Sequence, residues 1–201
     1  MATTTTKPAK ATAGKTKGKK PSVKSVSMNG AFDLETSLQN YFGFNQFKGT
    51  QEAAINTLLS GQDTFVIMPT GGGKSICFQL PALVLPGITV VISPLIALMK
   101  DQVDSLKANG ISACSINSSQ SNEEQQSHIQ NLKDNKTKLV YIAPESLSYL
   151  DVIFNDLNVS LIAIDEAHCI SSWGHDFRPA YTNLGYLKKR FPSTPILALT
   201  A

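Results

Sequence analysis

The stretch MPTGGGKS, Met68 to Ser75, constrains what this chain can fold into more than any other. Gly71, Gly72 and Gly73 let the backbone enter left-handed conformations in which successive N–H groups converge on phosphate oxygens. Lys74 adds a point charge suited to β- and γ-phosphates, and the Ser75 hydroxyl is a natural Mg²⁺ ligand. A short β-branched run, TFVIM, leads into the loop, and SICFQLPALVL leaves it as the opening of a helix. A strand–loop–helix unit of this kind aims the positive end of the helix dipole at an anion. The usual pattern, G-x-x-x-x-G-K-[ST], has glycine where this chain has Met68. A plain flexible turn is the alternative, and Gly-Lys-Ser in this setting argues against it.

A second signal lies roughly 90 residues on, room for several βα units. Asp165 and Glu166 follow the apolar run SLIAI. A strand ending in Asp puts a carboxylate at the carboxyl edge of a parallel sheet, where ligands of such sheets bind. Asp165 is expected to hold Mg²⁺, and Glu166 to orient and deprotonate an attacking water, a role worth about 10²–10⁴-fold. Directly after come Trp173, Phe177, Arg178 and Tyr181, an aromatic and cationic run on which bases can stack. Trp173 and Phe177 are four apart, so one helical turn would place them on the same side. His168 and His175 flank this loop and are placed to relay between hydrolysis site and strand. The alternative is that Trp173 and Phe177 are ordinary core aromatics.

These residues carry a family resemblance. Asp165-Glu166-Ala167-His168 resembles the DEAH box of superfamily 2 helicases, and CISSWGHDFRPAY resembles the aromatic-rich loop of RecQ-type DNA helicases. FGFNQFKGTQ (Phe42 to Gln51) resembles the adenine-reading motif. SPLIALMKDQV and YIAPESL resemble strand-contact motifs, and LALTA, Leu197 to Ala201, the start of motif III. The resemblance runs from about Phe32 to Ala201 and implies an α/β P-loop NTPase of RecA-like type, a mainly parallel sheet sandwiched by helices. It implies that Gln51 reads the adenine edge with Phe44 or Lys48 near the base, and that Thr70 to Ser75 hold the phosphates of ATP. It implies that Glu166, Asp165, Lys74 and His168 serve hydrolysis, with Ser75 and Asp165 on Mg²⁺. Trp173, His175, Phe177 and Arg178 would sense single-stranded DNA and trigger hydrolysis. This chain has Lys48 where the family usually has Arg, Gly49-Thr50 for Pro-Gly, and Ala180 where Glu is often seen.

The implied activity is 3′–5′ DNA unwinding driven by ATP, acting on single-stranded and partially duplex DNA in recombination and repair. An RNA-remodelling ATPase of the same superfamily is a second reading, and a nucleotide-gated binding module without useful turnover a third. The family continues past motif III into a second RecA-like domain that supplies arginines to the γ-phosphate, worth about 10³–10⁵-fold. These 201 residues alone are therefore expected to bind nucleotide weakly, hydrolyse it slowly and unwind nothing.

Residues 1–30 contain seven lysines and no acidic residue, which leaves −4 of the overall +3 charge for residues 31–201. Such a segment is expected to be a disordered tail with weak, salt-sensitive attraction to nucleic acid, or a solvated leader. Pro81, Pro86, Gly87 and Pro94 break the uncharged run from Ser75 to Met99, so no membrane span and a cytoplasmic location are expected, nucleoid-associated in a bacterium. Cys77, Cys114 and Cys169 lack C-x-x-C spacing and read as reduced apolar residues. Strands are expected near Thr64–Met68, Thr89–Ile92, Ser112–Ile116, Lys138–Ile142, Leu161–Ile164 and Ile196–Leu199. Ser93-Pro94 reads as a helix cap followed by a first-turn proline, and Ser121 with Glu124 as a capping box.

Overall fold

The computed structural model describes residues 33–147, 151, 153–173 and 176–201. The expected tail at 1–30 and His175 lie outside the described residues. Strands β1 (Thr64–Ile67), β2 (Ile88–Ile92), β3 (Ala113–Ile116), β4 (Leu139–Ile142), β5 (Val159–Ile164) and β6 (Ile196–Thr200) form one sheet in the order β1-β6-β5-β2-β4-β3. Every pairing is parallel. Parallel strands need crossovers, and helices supply them. They are α3 (Ile76–Val84), α4 (Ile96–Ala108) and α5 (Asn122–Lys133), with α6 (Pro179–Thr182) and α7 (Tyr186–Arg190) late in the chain. Two further helices, α1 (Leu34–Phe42) and α2 (Gln51–Leu59), precede β1.

Burial on both faces explains why the strands read as unbroken apolar runs. On one face Val66, Val91, Tyr141, Ala163 and Leu199 pack against Leu58 of α2, Phe78 of α3 and Met99 and Val103 of α4. On the other, Ile92, Ile142 and Ile162 meet Leu132 of α5, Tyr181 of α6 and Leu187 of α7. That cover stops short of edge strand β1. Phe65 and Ile67 are 62% and 67% exposed there, beside an apolar cavity of about 410 Å³ that His168, Tyr181 and Thr200 help to line. The three cysteines are free and buried, and burial pushes the Cys77 thiol up to about 11 and Cys114 up to about 12.

The strand positions agree with the sequence reading to within a residue or two. Ser93-Pro94 does not. Ser93 is still tied to the sheet, its N–H donating to the Ile142 carbonyl at 3.1 Å, and Leu95 caps a helix that begins at Ile96. Sheet pairing of Ser93 overrides its local preference for a cap. The capping box is present as expected: the Ser121 hydroxyl accepts from the Glu124 N–H at 3.2 Å, and the Ser121 N–H donates to the Glu124 carboxylate at 3.1 Å. Ser121→Ala is expected to lower the stability of the chain by about 1 kcal/mol, read from urea unfolding.

Candidate nucleotide site and nucleic-acid loop

The phosphate loop leaves β1 and turns back on itself. Gly71 and Gly73 have φ of 78° and 81°, which side chains rarely adopt. Gly72 is required for a different reason: a Cβ there would lie 2.8 Å from the Pro69 carbonyl, to which its own N–H donates at 2.9 Å. The N–H groups of Gly71, Gly73, Lys74 and Ser75 have no protein acceptor among the described residues, and they precede the first turn of α3. Unpartnered donors at a helix N-terminus fit a phosphate chain. Met68 replaces the usual first glycine without strain. Its φ is negative, its side chain is 6% exposed in the core, and its N–H extends the sheet by donating to the Thr200 carbonyl at 3.0 Å.

Lys74 folds back, its Nζ 3.3 Å from the Met68 carbonyl. Gln51, 3% exposed, is bound to the same loop. Its Nε2 donates to the Gly73 carbonyl at 2.9 Å and the Gly72 carbonyl at 3.3 Å, while its Oε1 accepts from the Lys48 N–H at 2.8 Å. The sequence signals an adenine contact for this amide; here it braces the phosphate loop, a use that depends on residues 21 and 22 positions away. Phe44 is 45% exposed, and the Lys48 ammonium lies 5.6 Å from its ring centroid.

Asp165 lies just past the end of β5, its N–H donating to the Ile92 carbonyl at 2.9 Å. Burial, reinforced by the Glu166 charge, pushes its carboxyl up to about 6 from an ordinary 3.8, against the Glu166 N–H, Lys74 and His168. Glu166 is in the left-handed region at φ 51°, ψ 47°, a conformation costing about 1–2 kcal/mol for a side-chain-bearing residue. Its N–H is held by the Asp165 carboxylate at 3.0 Å. His168 Nδ1 lies 3.3 Å from the Glu166 carboxylate and 3.0 Å from the Thr200 hydroxyl, and its Nε2 lies 3.7 Å from Asp176. The structure thus brings Glu166, His168 and the end of β6 together. Thr200 lies in LALTA and Asp176 in CISSWGHDFRPAY, but nothing in those stretches singled out either residue for a role.

Two corrections concern the aromatic run. Residues 171–173 and 176–178 are not helical, so Trp173 and Phe177 are not paired by a helical turn; Pro179 starts α6 only after them. Trp173 is 97% exposed and Phe177 37%, so neither is an ordinary core aromatic. Tyr181, by contrast, is fully buried and offers no stacking face. Its hydroxyl donates to the Asp165 carbonyl at 2.9 Å, making it a strut beneath the carboxylates. Arg178 is also tied inward, its Nη1 donating to the Pro94 carbonyl at 2.9 Å.

The donor set fits ATP with Mg²⁺: open amides, a lysine, a hydroxyl at Ser75 and a carboxylate whose burial favours a cation beside it. The fold and this site define a P-loop nucleotide-binding domain with a RecA-like parallel sheet. The family model for the DEAD/DEAH box helicases matches residues 48–201, and the chain belongs to that family. It is 55% identical over 167 residues to the ATP-dependent DNA helicase RecQ of Haemophilus influenzae, covering 82% of this chain and 27% of that protein. It is 52% identical over 171 residues to RecQ of Bacillus subtilis, covering 83% and 29%. The chain therefore spans less than a third of the length of these relatives. Among solved structures, the DUF1998 helicase MrfA bound to DNA superposes with a TM-score of 0.67 at 19% identity, covering 84% of this chain and 26% of that one. A hypothetical ATP-dependent RNA helicase from Sulfolobus tokodaii gives 0.58 at 19% identity, covering 84% and 49%. Both share the fold.

The raised carboxyl has a consequence for stability. Below pH 3.8 Asp165 is protonated folded or unfolded and costs nothing. Between 3.8 and about 6 only the unfolded chain ionises freely, so the folded state loses stability as pH rises. The full penalty, at about 1.4 kcal/mol per pH unit, is on the order of 3 kcal/mol above pH 6. Asp165→Asn without nucleotide or Mg²⁺ is expected to melt higher than the parent at pH 7.5, the difference fading by pH 4 in thermal scans.

Proposed function

We propose that this chain is the ATP-binding motor region of a RecQ-like DNA helicase, coupling ATP hydrolysis to movement along single-stranded DNA and to unwinding in recombination and repair. The observation that carries this reading is Trp173, 97% exposed on a loop whose continuation is bonded to the hydrolytic residues through Tyr181 and Asp165. An indole almost wholly in water is poorly placed for packing and well placed to stack on a base, worth about 1–3 kcal/mol. High identity to RecQ proteins supports DNA over RNA as the strand.

In this reading the loop amides and Lys74 bind the phosphates, and Gln51 exchanges its loop contacts for the adenine edge near Phe44 and Lys48. Mg²⁺, when bound, neutralises phosphate charge, and Ser75 and Asp165 would hold it. Glu166 orients the attacking water and takes its proton, while His168 holds the Glu166 carboxylate against Thr200. DNA on Trp173, His175, Phe177 and Arg178 acts on Glu166 through the His168–Asp176 contact and the Tyr181 strut. A second RecA-like domain completes the site with arginines, the isolated chain does not unwind, and translocation runs 3′ to 5′. The protein works in the cytoplasm, at the nucleoid in a bacterium.

In the full-length protein, single-stranded DNA is expected to stimulate hydrolysis strongly. Lys74→Ala should abolish hydrolysis, and Glu166→Gln should abolish turnover yet keep nucleotide binding. Trp173→Ala should retain basal hydrolysis and lose its response to DNA; steady-state phosphate release measures all three. Parental hydrolysis indifferent to DNA would sink the motor reading and leave a nucleotide-binding domain. As the only tryptophan of these 201 residues, Trp173 also reports directly. Its fluorescence should change on adding single-stranded DNA to this chain, and RNA should be the weaker ligand.

A further inference from the structure

Gln79 of α3 is 6% exposed, and its amide sits where three elements meet. Nε2 donates to the Gln102 side-chain oxygen on α4 at 2.8 Å and to the Tyr141 hydroxyl on β4 at 3.2 Å. The neighbouring Phe78 packs edge-on against the Tyr141 ring, centroids 6.3 Å apart. Both amide hydrogens are therefore used on partners 23 and 62 residues away. Burying an amide costs solvation that an apolar side chain of the same size would not. What the polar bridge adds is a directional, fixed spacing, which non-directional apolar packing does not enforce.

Each of the three elements leads to a working part of the site. The Gln79 N–H donates to the Ser75 carbonyl at 2.9 Å, so it lies one turn from the phosphate loop. The helix α4 starts just after Pro94, whose carbonyl holds Arg178 at 2.9 Å. Strand β4 runs directly into the Pro144–Ser146 turn. A continuous set of bonds therefore runs from the phosphate loop through Gln79 and Gln102 to α4, Pro94 and Arg178. It bypasses His168.

We propose that Gln79 is a positioning residue of the motor: through Gln102 it sets α4, and with it the Arg178 anchor of the aromatic loop, in register with the phosphate loop. The inference rests on the DNA-dependent reading above. Phosphates drawn against the N-terminus of α3 shift α4 with it, where a slippery apolar contact would let the two helices slide. Gln79 is buried and its amide is spent on Gln102 and Tyr141, so it acts through them and not on a ligand.

The test uses Gln79→Met, Gln102→Met and the double variant of the full-length protein, with hydrolysis followed across a titration of single-stranded DNA. The half-stimulating DNA concentration is expected to rise about tenfold in each single variant. The double variant should be no worse than either in its DNA response, while the KM for ATP stays parental; Gln102→Met, which leaves the Gln79–Tyr141 bond in place, should also keep the parental melting temperature. Parental DNA response in the single variants, or losses that add in the double, would overturn the proposal, as would a lowered melting temperature with an unchanged DNA response. Should Gln79→Met fail to fold, Gln102→Met carries the same comparison from the less buried end of the bridge. A parent indifferent to DNA fails at the earlier step and is distinguishable before any variant is made.

Discussion

The pairing of β6 between β1 and β5 sets the spacing on which the site depends. The Met68 N–H reaches the Thr200 carbonyl at 3.0 Å, and the Asp165 N–H reaches the Ile92 carbonyl at 2.9 Å, so both functional loops leave the sheet from held positions. All pairings are parallel, hence every strand opens its carboxyl end on the same edge. Lys74 and Asp165, far apart in sequence, thereby come close enough for the lysine charge to act on the carboxyl. Thr200, at the end of the strand between them, meets His168 and through it Glu166.

Much of the site is arranged against the stability of the empty fold. Asp165 holds a partly buried carboxylate that its own burial disfavours, and Glu166 takes a left-handed backbone. Compensation is local: the Glu166 N–H binds Asp165, Lys74 binds the Met68 carbonyl, and Gln51 binds the carbonyls of Gly72 and Gly73. Each of these bonds lies within the phosphate loop or the acidic pair, or ties a neighbouring helix to them. Strain held by surrounding structure is common where a ligand must be met by pre-formed groups. The aromatic loop is tied in by Tyr181 and Arg178 and leaves Trp173 in solvent.

The phosphate loop, the acidic pair and all six strands were legible because each depends on neighbours in sequence. Glycines set backbone range, β-branched runs set strands, and Ser121 with Glu124 set a cap. What misled was local preference overridden by contact. Ser93-Pro94 has the chemistry of a helix start, yet Ser93 is taken by the sheet and α4 begins later. Tyr181 has the chemistry of a stacking ring, yet it is wholly buried with its hydroxyl on a backbone carbonyl. Trp173 and Phe177 have helical spacing, but the residues described around them are not helical.

By itself, then, the sequence determined which side chains are the candidates, a lysine, a hydroxyl and two carboxylates, since the loop and strand end that carry them follow from local conformation alone. Only the tertiary structure decided which of them touch. Gln51 against the phosphate loop, His168 between Glu166 and Thr200, Arg178 on Pro94 and Gln79 on Gln102 and Tyr141 all join residues from different elements. No local propensity encodes such pairs, because strand order, and with it the distance between any two loops, is a property of the packed sheet.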